Sequence, residues 1–108
     1  MATFTAIKNK KQTAGVLGGV LKYVQQEKKT SAGGLRFVTG HNCVPQSVYT
    51  EMMTTKQRFK KTDGRQFYHF VQSFAETDAL TPQEANAIGL ELAQRAFPGY
   101  EVVIATHV

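Results

Sequence analysis

Tryptophan is absent from this chain of 108 residues, and cysteine occurs once, at Cys43. A lone cysteine excludes an internal disulfide framework and a cysteine-rich zinc module. Proline occurs only three times, and no Pro- or Ser-rich tract, low-complexity stretch or internal repeat divides the sequence. A chain of this length can bury one hydrophobic core, so residues 1–108 are expected to form a single domain. No stretch approaches the roughly 20 apolar residues of a membrane span. Residues 1–4 lack the basic-then-apolar pattern of a secretory signal. With 42% hydrophobic and 19% charged residues the composition is that of a globular protein. A cytoplasmic protein without a membrane partner is the expectation.

Acidic residues are scarce where basic ones are plentiful. Residues 1–65 hold 12 of the 13 Lys and Arg and only three acids, Glu27, Glu51 and Asp63. Residues 66–108 hold Arg95 alone against five acids. A cationic region built by the first part of the chain suits a polyanion, although solvated lysines that merely keep a small domain soluble would look the same. The basic segments 8–11 and 56–61 contain one aromatic, Phe59, and suit phosphate contact better than base stacking.

The hydrophobic pattern alternates between strand and helix. Residues 3–7 alternate and are rich in β-formers, predicting a strand. Val16, Leu17, Val20, Leu21 and Val24 recur at helical spacing, predicting a helix from Thr13 to about Lys28. Gly15, Gly18 and Gly19 in that helix suggest close approach of a neighbour or a ligand. Residues 31–34 read as a loop, 35–39 as a short strand and 40–43 as a turn. A second helix is expected near Pro45, carrying Val48, Tyr49, Met52 and Met53, and Asp63-Gly64 reads as a turn. Residues 67–74 form the clearest strand, with Phe67, His69, Val71 and Ser73 on one face. The third helix is the best marked. Thr81, Pro82 and Glu84 form a capping box with proline at its first position. Ala85, Ile88, Leu92 and Ala96 are its apolar stripe. Residues 100–107 read as a final strand. The fold class expected is α/β (α+β): an antiparallel-rich sheet of three or four strands with about three helices packed on it.

Motif chemistry is sparse. No two of His41, His69 and His107 have the spacing that places two metal ligands on one strand or helix face. Cys43 reads as inert core more readily than as a thiol nucleophile. Neither a phosphate-binding glycine loop followed by Lys-Ser/Thr nor a nucleophile elbow is present.

Four short stretches in register resemble the mobilisation relaxases of plasmids and integrative elements, tyrosine enzymes of the P-type class within the His-hydrophobic-His endonucleases. They are Val20-Leu21-Lys22-Tyr23-Val24 closing with Lys29-Thr30, Gly40-His41-Asn42-Cys43, Tyr68-His69-Phe70-Val71-Gln72-Ser73-Phe74, and Ala105-Thr106-His107. The resemblance implies a helix-borne tyrosine that nicks single-stranded DNA at an origin of transfer, leaving a 5′-phosphotyrosine and a free 3′-OH. It implies Tyr23 as that nucleophile, Ser73 as a residue holding DNA near the nick, and His107 as the first of three histidines around a divalent metal ion. Lys8, Lys10, Lys11, Lys22, Lys28 and Lys29 are the expected DNA contacts.

The family continues past this histidine with an Asp and a His-x-His pair, whereas this chain ends at Val108. The expectation is a truncated relaxase domain, inactive alone and holding no metal tightly, with an exposed sheet edge through which it self-associates. A non-catalytic basic DNA-binding module is the alternative. Read without the resemblance, Tyr23 is a helix-packing tyrosine, Ser73 a strand serine bonded to backbone, and His69 a satisfied core histidine.

Overall fold

The computed structural model describes residues 2–7, 13–59, 67–75 and 78–108. Its elements are strand β1 (Ala2–Ile7), helices α1 (Ala14–Val24) and α2 (Glu27–Thr30), and strands β2 (Ser31–Ala32), β3 (Leu35–Arg36) and β4 (Val38–His41). A 3-10 turn at Pro45–Ser47 then leads into α3 (Val48–Arg58), followed by β5 (His69–Phe74), α4 (Pro82–Ala96) and β6 (Val102–Ala105). The mixed α/β class with antiparallel pairing is as expected from the sequence. The single sheet is not. The strands form three two-stranded ladders, β1 with β5, β2 with β3, and β4 with β6. The expected turn at Asp63-Gly64 lies outside the described residues.

α1 begins where Thr13 caps it, its hydroxyl accepting from the Val16 N–H at 3.2 Å. Its apolar face packs on α3: Leu17, only 1% exposed, meets Leu21 and Val48, with Met52, Met53, Cys43, Phe67 and Val103 around them. The predicted close approach of a neighbour to the helix glycines is realised at Gly18, where an added Cβ would press on the ring of Tyr49. The helix itself is shorter than expected. It stops at Val24, turns through Gln25 and Gln26, and resumes as the separate four-residue α2.

The strand expected over residues 35–39 is likewise interrupted. Phe37 separates β3 from β4, and its carbonyl accepts the Thr106 N–H at 2.9 Å, extending the β4–β6 pairing beyond the ladder. In that ladder Val38 faces Ala105 and His41 faces Val102.

α4 carries the expected capping box, with Thr81 and Glu84 exchanging backbone-to-side-chain bonds of 3.1 Å each. Its buried face departs from the expected stripe. Ala85, Ile88 and Leu92 are half-buried and Ala96 is exposed, while the buried positions are Asn86 and Ala93. The reason is the Asn86 amide, 8% exposed. Its Nδ2 donates to the Phe37 carbonyl (3.1 Å), the Ile104 carbonyl (3.3 Å) and Thr106 Oγ1 (3.1 Å), and its Oδ1 accepts from Thr39 Oγ1 (2.5 Å). One side chain thus ties α4 to both β4 and β6. Removing it strands buried acceptors, each costing about 1–3 kcal/mol. Asn86→Ala is expected to lower unfolding stability by about 2–3 kcal/mol, read as a lower urea midpoint with unchanged slope.

The Gly40-His41-Asn42-Cys43 turn is a clamp. Asn42 adopts φ 59° and its Nδ2 donates to the carbonyls of Pro98 and Tyr100, both at 2.9 Å, while His41 Nε2–H donates to the Phe97 carbonyl at 2.9 Å. The turn closes so tightly that a Cβ on Gly40 would overlap the Cys43 carbonyl oxygen. Gly40→Ala should therefore destabilise by about 3 kcal/mol or more, the upper end of overpacking costs, visible as a lowered melting temperature.

Candidate functional site

The end of α1 gathers side chains from three parts of the chain. Tyr23 lies one residue before the helix ends and is 48% exposed. Beyond it the chain reverses: the Gln26 N–H bonds the Tyr23 carbonyl at 3.3 Å, and Lys29 N–H and Thr30 N–H both bond the Gln26 carbonyl at 3.0 Å. Thr30, fully buried, adds its hydroxyl to the same carbonyl at 2.9 Å. This fold-back returns Lys29 to the tyrosine. Its Nζ donates to Tyr23 Oη at 3.2 Å and lies 4.4 Å from the ring centroid.

The segment after β6 reaches the same place. The His107 ring meets the Tyr23 ring edge-on, centroids 6.0 Å apart at 76°. His107 Nε2–H donates to the Val24 carbonyl at 3.1 Å, and the Val108 N–H donates to the Lys29 carbonyl at 2.7 Å. Because a carbonyl can only accept, Nε2 carries the hydrogen, and Nδ1 of the neutral ring keeps its lone pair. The guanidinium of Arg36 donates to the Gln25 carbonyl. With Lys22 and Lys28 exposed on the adjoining turns, the tyrosine sits among cations, which the negative end of the helix dipole favours.

The structure therefore brings Tyr23, His107 and Lys29 together. Ser73 lies on β5 opposite Thr3, exposed, and among the described residues no hydrogen bond joins it to Tyr23 or His107. Lys8, Lys10 and Lys11 lie outside the described residues. His41 belongs to the opposite end of the β4–β6 ladder from His107, where it clamps the 97–100 loop. Cys43 donates from Sγ to the Val102 carbonyl at 3.4 Å, and burial, together with the charges of Glu51 and Glu101, pushes its thiol pKa up. That is an inert thiol at neutral pH.

The described residues do not by themselves fit a divalent ion. They contain no group of three or more His, Cys, Asp or Glu able to share one, and the site offers a single imidazole nitrogen where a held metal needs three or four ligands. No helix among them is long and apolar enough to cross a membrane.

The family described as relaxase, MobA/VirD2-like, nuclease domain matches residues 23–108, beginning at Tyr23 and ending one residue past His107. The chain belongs to the relaxases. Curated relatives called Protein rlx, from Staphylococcus aureus, agree with it: one is 33% identical over 66 residues, covering 61% of this chain and 20% of its own length. Another is 35% identical over 69 residues, covering 64% of this chain and 21% of its own. The relaxase chain thus spans about a fifth of the length of the curated relatives it matches. No solved structure matches it significantly. Relaxases of this nuclease family are generally metal-dependent.

Two contacts of the site were not visible in the sequence, although Lys29 itself stands among the expected DNA contacts. Arg36 had no motif around it, and the Lys29 contact with Tyr23 requires a helix break that no glycine or proline announces.

One titrating group lies away from the site. His69 pairs with Ile7 at the end of the β1–β5 ladder, and burial lowers its pKa below the ordinary value. The unfolded chain then binds this proton more readily than the folded one, so its contribution to stability is present above the ordinary histidine pKa of about 6.5 and is lost as pH falls below it. His69→Gln is expected to flatten the dependence of melting temperature on pH between about pH 5 and 7.

Proposed function

We propose that this relaxase chain carries the nucleophile that nicks single-stranded DNA at an origin of transfer during conjugative mobilisation. Tyr23 Oη attacks one phosphodiester: the O–P bond to the phenol forms as the bond from phosphorus to O3′ breaks. The phenolic proton passes to solvent, the departing 3′ oxygen takes up a proton, and the products are a 5′-phosphotyrosine and a free 3′-OH. The observation that supports this best is the state of Tyr23. A packing tyrosine buries its ring, whereas this one stands half exposed at a helix end with an imidazole on its edge and an ammonium on its oxygen.

In this reading His107 is one ligand of a divalent ion whose other ligands come from outside residues 1–108. Ser73, on the exposed face of β5, holds the strand beside the nick. Lys22 and Lys28, with Lys8, Lys10 and Lys11, follow the phosphates. The 108-residue unit is one domain working on DNA in the cytoplasm, inactive as a nickase alone. Among the described residues β6 pairs with β4 alone, leaving its second edge for a further strand of the same protein or of a second copy.

In the complete native protein, Tyr23→Phe is expected to abolish the covalent DNA–protein adduct seen on denaturing gels while DNA binding persists. That binding should weaken with salt, the logarithmic slope steepening by about 0.7 for each single-stranded phosphate neutralised. An adduct formed in undiminished yield by Tyr23→Phe contradicts the assignment. Salt-dependent binding by a wild-type protein that never forms an adduct supports the non-catalytic module instead.

A further inference from the structure

We infer that Lys29 is a catalytic phosphate-binding group, distinct from the lysines that track the DNA; the inference rests on Tyr23 being the nucleophile. On an unbroken helix, residues six apart lie about 240° apart around the axis and cannot meet. Lys29 meets Tyr23 because α1 stops at Val24 and the chain folds back. The backbone that carries Lys29 is held on every side. Its N–H bonds Gln26 (3.0 Å), its carbonyl accepts from Val108 (2.7 Å), and the neighbouring buried Thr30 accepts the Phe37 N–H at 2.7 Å. Lys22 and Lys28 are exposed and, among the described residues, have no hydrogen bond to another side chain.

An ammonium has three N–H donors. One is on Tyr23 Oη, and among the described residues Nζ has no other acceptor. A phosphorus about to be attacked by Oη must come within about 3–3.5 Å of it. Its non-bridging oxygens then fall within hydrogen-bond reach of the same ammonium. Lys29 fixes the phenol before DNA arrives and meets the phosphoryl oxygens as the transition state forms. A fixed cation at that point stabilises charge without reorganisation.

The test uses the complete native protein and a saturating single-stranded oligonucleotide bearing its nick site. Lys29→Met is expected to slow adduct formation by on the order of 100-fold with little change in DNA affinity. Lys29→Gln serves as a second neutral variant, and Lys29→Arg, which keeps the charge, is expected to recover most of the rate. Lys22→Met, which removes a lysine that follows the phosphates, should instead weaken DNA binding and lower its salt dependence. A Lys29→Met protein that reacts at the wild-type rate but binds DNA more weakly overturns the inference alone. Adduct formation by Tyr23→Phe overturns the nucleophile reading, and the inference with it.

Discussion

An α-helix leaves its last four carbonyls without partners inside the helix, and a half-buried helix end must find them elsewhere. At the end of α1 the Leu21 and Tyr23 carbonyls are met locally, by the Gln25 and Gln26 amides, and the carbonyls that follow are met from distant parts of the chain. The Val24 carbonyl takes the His107 imidazole, and the carbonyl of the capping residue Gln25 takes the Arg36 guanidinium. Two of these partners carry chemistry as well as hydrogen bonds. Closing the helix therefore also brings an imidazole and cations to Tyr23, the residue before the break. The structural requirement and the assembly of the site are one event.

That arrangement depends on where β6 delivers its last residues. Asn86 fixes this end of the ladder by bonding the Phe37 and Ile104 carbonyls and Thr106, one residue before His107. At the other end, His41 and Asn42 hold the loop that enters β6. The relaxase-like motifs consequently divide their duties. The 40–43 turn is scaffold, acting on the site through the placement of a strand, whereas Tyr23 and His107 meet at the surface.

Much of this was legible where local chemistry decides the outcome. The capping box at Thr81 and the β-formers of residues 3–7 each announce their element, and Pro45 opens the 3-10 turn that leads into α3. Tyr23 and His107 were legible only through the motif resemblance, since nothing in their spacing, 84 positions apart in number, says that they touch. The break after Val24 was not legible, because Gln25, Gln26, Glu27 and Lys28 are all good helix formers. Tertiary demands override that preference: the burial of Thr30 and the bond from Val108 to Lys29 need the chain to turn. Asn86 was missed for a related reason. A polar residue beside an apolar stripe reads as solvent-facing until the two backbone carbonyls it satisfies are known.

The proposed site depends on His107 lying against Tyr23 at the end of α1. Its most direct test is the nuclear Overhauser spectrum of the chain with the two rings assigned. Cross-peaks between the Tyr23 ring protons and those of the His107 imidazole are expected, together with a hydrogen on Nε2. Assigned rings without such cross-peaks would contradict it, and would leave Tyr23 an exposed tyrosine at the end of an ordinary helix.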